Sequence, residues 1–216
     1  EAISLVEKAK SSTMKDFSIH LSLDNDELSF YGICRYLQNS TISDCNVYVI
    51  VKDCITFNGI SNVMKNNSSI KNCHCSGEVN ADIMKGLVWS VTDSDIRRSS
   101  NDIDATSNTK TSSIIGGICC RNHNSVIKNC EFSGSITCTA EVGPIGGICG
   151  QMFDKNSRTE NCVNTGDINS KSNQVGGIVG RLGDGEVKYT ENYGSVSGVN
   201  YIGGIVGICN LHEDAE

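Results

Sequence analysis

Hydrophobic positions along this chain come in short sets of two or three, never in long stripes, and the sets return every 27 to 31 residues. The clearest marker is a glycine followed by an aliphatic residue, at Gly32, Gly59, Gly86, Gly117, Gly147, Gly177 and Gly204. The next residue reads Ile33, Ile60, Leu87, Ile118, Ile148, Ile178 and Ile205. Two positions before the glycine the column reads Phe30, Phe57, Met84, Ile115, Ile145, Val175 and Ile202. A second block about 13 residues downstream holds Ile42 with Cys45, Ile70 with Cys73, Ile96 with Ser99, Ile127 with Cys130, Thr159 with Cys162, and Val187 with Thr190. A third aliphatic position follows at Val49, Val79, Ile103, Ile136, Ile168 and Val196.

Self-similarity at such a period marks a solenoid. The segments offer Ile, Val, Cys, Asn, Ser, Thr and Gly, which suit short strands and tight bends better than helices. In the run from Ile127 to Ile136, Lys128-Asn129 makes a bend. Cys130 and Phe132 then point inward on a strand of period two, and Ser133-Gly134 makes a second bend. One such coil cannot bury its inward face, whereas stacked coils pair every strand above and below. The expected fold is therefore all-β: a single-stranded parallel β-helix of about six coils, each with three strands and three corners. Its expected hand is right, because crossover connections between parallel strands are. Residues 28–216 form this repeat domain. Residues 1–27 carry no glycine marker and are expected to be an N-terminal cap, with a short amphipathic helix over Glu1–Lys10 and a strand through Phe17, Ile19, Leu21 and Leu23.

The runs Val175-Gly-Gly-Ile-Val-Gly180 and Ile202-Gly-Gly-Ile-Val-Gly207, with Asn161-Cys-Val-Asn-Thr-Gly-Asp-Ile168, resemble the GLUG repeat over residues 115–209. Earlier coils depart from it, with Tyr31, Asn58 or Lys85 in place of the first glycine of the pair. GLUG repeats occur in bacterial surface proteins and beside some immunoglobulin-A-cleaving metallopeptidases. The resemblance implies an extracellular or cell-surface setting and brings no catalytic residues.

Composition narrows the function. The net charge is −7, against nucleic acid or an anionic membrane surface as partner. No apolar run approaches the roughly 18 residues of a membrane span. The count of 12 Cys fits an oxidising compartment or a set of small buried hydrophobes. In-register thiols on stacked coils keep their Cβ atoms wider apart than a disulfide prefers, which favours packed thiols over bridges. Sequons place candidate glycosylation at Asn39, Asn66 and Asn67.

Candidate chemistry is sparse. Cys73-His74-Cys75 alternates in, out, in, so the three cannot converge on zinc. His212-Glu213-Asp214-Ala215-Glu216 lacks the second histidine of a zinc peptidase helix. The acidic groups at Asp24/Asp26/Glu27, Asp93/Asp95, Asp102/Asp104 and Asp184/Glu186 match no calcium loop. Stacking brings Asp104 near Glu78 or Glu131, but nothing selects a hydrolytic pair. Trp89 and Tyr201 are surface contacts or edge packing. The polar stretch Ser90–Ser113 is expected to bulge from the stem. No catalytic, metal or cofactor residue is assigned. The expected function is a structural or adhesive module that is not an enzyme, covered at its C-terminal coil by further repeats or by another copy in an end-to-end fibre. A glycan or surface protein is a second kind of partner. The alternative is a polysaccharide-binding or polysaccharide-degrading β-helix.

Overall fold

A computed structural model describes residues 1–108 and 113–209. Every strand pairing it shows is parallel and joins one coil to the next, so the chain is a parallel β-helix. Each coil has four faces in sequence. In the second coil these are Ser29–Phe30, Cys34–Gln38, Thr41–Ser43 and Asn46–Asp53. The second face builds an 8-stranded sheet and the third a 7-stranded sheet, which is seven full coils and the start of an eighth.

Two expectations are corrected by this count. The expected helix over Glu1–Lys10 is instead two strands, Ala2–Ile3 and Val6–Lys10. With Thr13–Lys15 and Ser18–Asp24 they form a complete first coil, with Ile3 level with Phe30 and Ile19 level with Val47. Residues 1–27 thus continue the repeat in place of a helical cap. There are also four faces per coil and not three, because the glycine segment turns a corner: Ile145–Gly146 and Cys149–Met152 lie in different sheets. The close approach of coils at that corner requires glycine. A Cβ on Gly147 would lie 2.4 Å from the carbonyl oxygen of Gly177 in the next coil.

The stretch Ser90–Ser113 does not bulge over its described part. It supplies Asp95–Arg97 and Ser100–Ser107 as regular strands, with Asn101, Ile103, Ala105 and Ser107 buried. Residues 109–112 lie outside the described residues.

The expected columns that flank the glycine and the column from Ile42 to Val187 form, but the third aliphatic column is corrected: Val49 and Ile103 are level with Gly77, and Val79 is level with Val51 and Ala105. Ile118, Ile148 and Ile178 are fully buried. Ile205, expected among them, is 38% exposed, because no described coil lies beyond it. The expected bends also form, with Asn129 at φ 54° and a column of left-handed residues at Asp44, Asn72, Asn129 and Asn161. Asn and Asp tolerate this conformation better than other residues with side chains. The sequon residues Asn39, Asn66 and Asn67 are exposed at the preceding corner, also with positive φ.

That preceding corner has a second device. Ser40, Ser68, Ser94, Ser125 and Ser157 form a buried column. The Ser68 N–H donates to Ser94 Oγ at 3.1 Å, and the Ser94 N–H donates to Ser125 Oγ at 3.0 Å. The hydroxyls of Ser40, Ser68, Ser94 and Ser125 in turn donate to a carbonyl of their own turn, as Ser94 Oγ does to Thr92 at 2.8 Å, whereas Ser157 Oγ accepts the Asn124 N–H and donates to the Asn122 carbonyl of the preceding coil. The hydroxyls stand in for the backbone bonds that the bend interrupts. On the inner side of the fourth face, buried Asn164 is satisfied in the same spirit. Its Oδ1 accepts the Gly166 N–H at 3.1 Å, and its Nδ2 donates to Asn192 Oδ1 at 2.7 Å.

Urea unfolding monitored by circular dichroism measures the two devices separately. Ile148→Ala should lose about 2–5 kcal/mol through lost burial and a cavity. Ser94→Ala should lose about 1–3 kcal/mol by orphaning the Ser68 N–H. A surface control, Ser135→Ala, should change little.

Candidate functional site

Three places bring chemistry-bearing side chains together. The first is on the fourth face. His74 and Ser100 are register partners on adjacent coils, and Asp102 follows Ser100 by two on the same strand face. His74 Nδ1 lies 2.8 Å from Ser100 Oγ, and His74 Nε2 lies 3.6 Å from Asp102 Oδ1. Hydroxyl, imidazole and carboxylate in a row is the order of a nucleophilic triad. The surroundings do not complete it. The Ser100 N–H donates to the Cys73 carbonyl at 2.9 Å, so it cannot serve a developing oxyanion. Glu131, on the next coil, is level with Ser100 and adds negative charge where donors would be needed.

The second is a depression of about 700 Å³ at a corner of the later coils, lined by residues that include Thr92, His123, Asn124, Asp154 and Lys155. His123 Nδ1 lies 3.2 Å from Asp154 Oδ2, and its ring stacks on Phe153 at 4.2 Å between centroids. Asn124 donates to Asp93.

The third is the carboxylate pair. Glu78 is level with Asp104, and Asp104 accepts a hydrogen bond from Ser135 at 2.8 Å. The two carboxylates stand side by side on one open face. Glycoside hydrolysis needs them opposed across a groove, about 5–9.5 Å apart. Glu131, the other partner considered for Asp104, is level with Ser100.

Three members of the other acidic groups have ordinary ion-pair partners. Asp24 pairs with Lys52, Asp95 with Arg97, and Glu186 with Lys188. Among the described residues no three His, Cys, Asp or Glu side chains converge as a metal site. Cys73 and Cys75 point into the core and His74 points out, as the alternation requires. The string from His212 to Glu216 lies outside the described residues. Trp89 is a surface contact: Lys85 Nζ lies 4.3 Å and Arg121 Cζ 4.6 Å from its ring centroid. Tyr201 is exposed on the last coil.

All twelve cysteines are free, and Cys209 alone of them is exposed. Cys119 is level with Cys149, and Cys45/Cys73 and Cys130/Cys162 immediately precede residues that are level on adjacent coils, Asn46 with His74 and Glu131 with Val163. Burial pushes the Cys54, Cys73, Cys120 and Cys138 thiols up to about 12. They are core thiols, not nucleophiles.

Sequence reasoning did not find the His74–Ser100 contact. The two are 26 residues apart, and the coil period varies too much for a fixed offset to reveal it.

The GLUG motif model matches residues 111–137, the length of one coil. That segment is a GLUG motif. No curated protein matches the chain by sequence. Among solved structures, one named IgA1 protease is similar over 87% of this chain, with a TM-score of 0.63 and 21% identity. The matched region is 17% of that protein, so this chain spans a small part of its length. A second, named a putative immunoglobulin A1 protease from Bacteroides ovatus, is similar over 86% of this chain and 67% of its own, with a TM-score of 0.52 and 16% identity. At these identities the likeness is one of fold. The GLUG coil and its neighbours form the same kind of β-helix.

Alkylation tests the thiol assignment. In the native chain without reductant, iodoacetamide should label Cys209 alone. After denaturation without reductant it should label all twelve, read by intact mass. Few labels after denaturation would mean bridges.

Proposed function

We propose that this chain is a structural or adhesive coil of an extracellular or cell-surface protein, with no catalytic centre of its own. The observation that carries the reading is the inter-coil pairing, which runs through every described coil on the second, third and fourth faces. On the fourth face the Ser100 N–H is committed to the Cys73 carbonyl of the neighbouring coil, which leaves the Ser100–His74–Asp102 row without that donor for an oxyanion. A GLUG motif and the fold shared with proteins named IgA1 protease support a surface setting.

The reading extends to the last coil. Ile202 and Ile205 are 45% and 38% exposed, whereas their counterparts Val175 and Ile178 are fully buried. Tyr201 and Val199 extend the same apolar end. Stacking a further coil there, from the same or another molecule, buries these residues and pairs the open strand edge. Repeated between molecules, the contact is head-to-tail and builds a fibre.

Two measurements on one preparation test this reading. An antibody raised against the folded chain should label intact, unpermeabilised producing cells. The purified chain should cleave neither IgA1 nor acidic polysaccharides, with Ser100→Ala and Glu78→Gln indistinguishable from the parent. Labelling only after permeabilisation would overturn the setting. Cleavage lost in either variant would overturn the non-catalytic role.

A further inference from the structure

The charges of this chain are sorted by face. The strands of the second face carry Lys8, Lys10, Arg35, Lys65, Arg121 and Arg181, against a single acid, Glu7. The strands of the fourth face carry Glu78, Asp102, Asp104, Glu131, Asp167 and Glu191. Asp24 and Asp53 add to them at strand ends, against a single lysine, Lys52. The net charge of −7 hides this division. In the circuit of each coil the short first and third faces separate the two, so the molecule has one basic long side and one acidic long side.

Both arrays run along the coil axis, where strand spacing sets coils about 4.8 Å apart. Acidic residues stand on each of the seven coils of the fourth face, and basic residues on the first, second, third, fifth and seventh coils of the second face. Rows on two copies laid side by side with their axes aligned therefore face each other along their length. Apolar surface accompanies both rows. Tyr36, Val63 and Trp89 are part-buried on the second face, where Tyr36 and Val63 help line a depression of about 340 Å³ between Lys8 and Lys65. On the fourth face Tyr48 and Ile50 are 43% and 39% exposed.

We infer that the basic second face of one copy docks on the acidic fourth face of another copy. The contact sets the side that bears Lys8, Lys65 and Arg121 against the side that bears Glu78, Asp104 and Glu131, with Tyr48 and Ile50 packing towards Tyr36 and Val63. Opposed potentials of this kind steer encounter and fix register. Each added copy leaves one basic and one acidic side free, so the association is heterologous and continues sideways into a ribbon or bundle. This deepens the structural reading by naming a lateral partner. A soluble polyanion would engage the second face alone and leave the acidic row, with its exposed Tyr48 and Ile50, without a counterpart. A second copy uses both.

Sedimentation velocity over a range of concentrations tests the inference. The Debye length falls from about 30 Å at about 0.01 M salt to about 3 Å at about 1 M. The chain should associate at low salt and do so about tenfold or more weakly at high salt. A basic-side variant, Lys8→Glu with Lys65→Glu and Arg121→Glu, should remain monomeric at low salt. An acidic-side variant, Glu78→Lys with Asp104→Lys and Glu131→Lys, should do the same. Circular dichroism and thermal midpoint check that both variants are folded. Mixing the two should restore association, because each then supplies the charge the other lacks. A parent chain that stays monomeric at low salt overturns the inference, whether or not it binds a polyanion such as polygalacturonate. So does association that survives high salt or either charge reversal. None of these outcomes bears on the labelling and cleavage tests of the structural role.

Discussion

A stack of β-coils survives only if the backbone groups turned out of the ladders at each corner find partners in the next coil. Strands solve this automatically, since parallel pairing bonds each coil to its neighbours. Corners do not, and buried unpaired backbone groups cost about 1–3 kcal/mol each. The column from Ser40 to Ser125 answers that cost with one hydroxyl per coil, accepting an N–H from one coil and donating to a carbonyl of its own turn. Left-handed Asn and Asp residues answer it at the next corner, and Asn101 and Asn164 answer it from inside. The aliphatic columns supply the burial, but it is this corner chemistry that lets one coil follow another at strand spacing.

The sequence shows the columns because every coil repeats them, and period-two alternation is visible even in a run as short as Cys130 to Phe132. It does not show the first coil. Ala2, Val6 and Ala9 fall at spacings that suit one side of a helix, and no glycine marks the corner. Stacking overrides that local pattern, and Val6 and Ala9 take the places level with Cys34 and Leu37. The fourth face was legible as a strand but the glycine corner was not, since two-residue strands such as Ile145–Gly146 leave too short a signal. The stretch after Ser90 misleads for a different reason. Its inward residues include Asn101 and Ser107, polar groups that look solvated until Gly117 and Asp82 supply their carbonyl partners.

Site geometry was less legible than fold. A coil places residues 26 to 36 apart in contact, as at His74–Ser100 and Asn122–Arg158, and the offset changes from coil to coil. Residue types alone therefore could not bring Ser100, His74 and Asp102 together. The structure does so, and it commits the Ser100 N–H to the Cys73 carbonyl of the neighbouring coil. Stacked coils also give long, repeating faces on which charge can be sorted. A surface of that kind is suited to repeated contacts along its length.

The most direct test of the account is native-state hydrogen exchange resolved at single amides. If hydroxyls complete the inter-coil ladder, the N–H groups of Ser40, Ser68 and Ser94 should exchange as slowly as those of the neighbouring strand residues Ile42, Ile70 and Ile96, although the serines sit at bends. Exchange at those three serines as fast as at exposed turns, with the strands still protected, would contradict the claim that the serine column carries the stack around its corners.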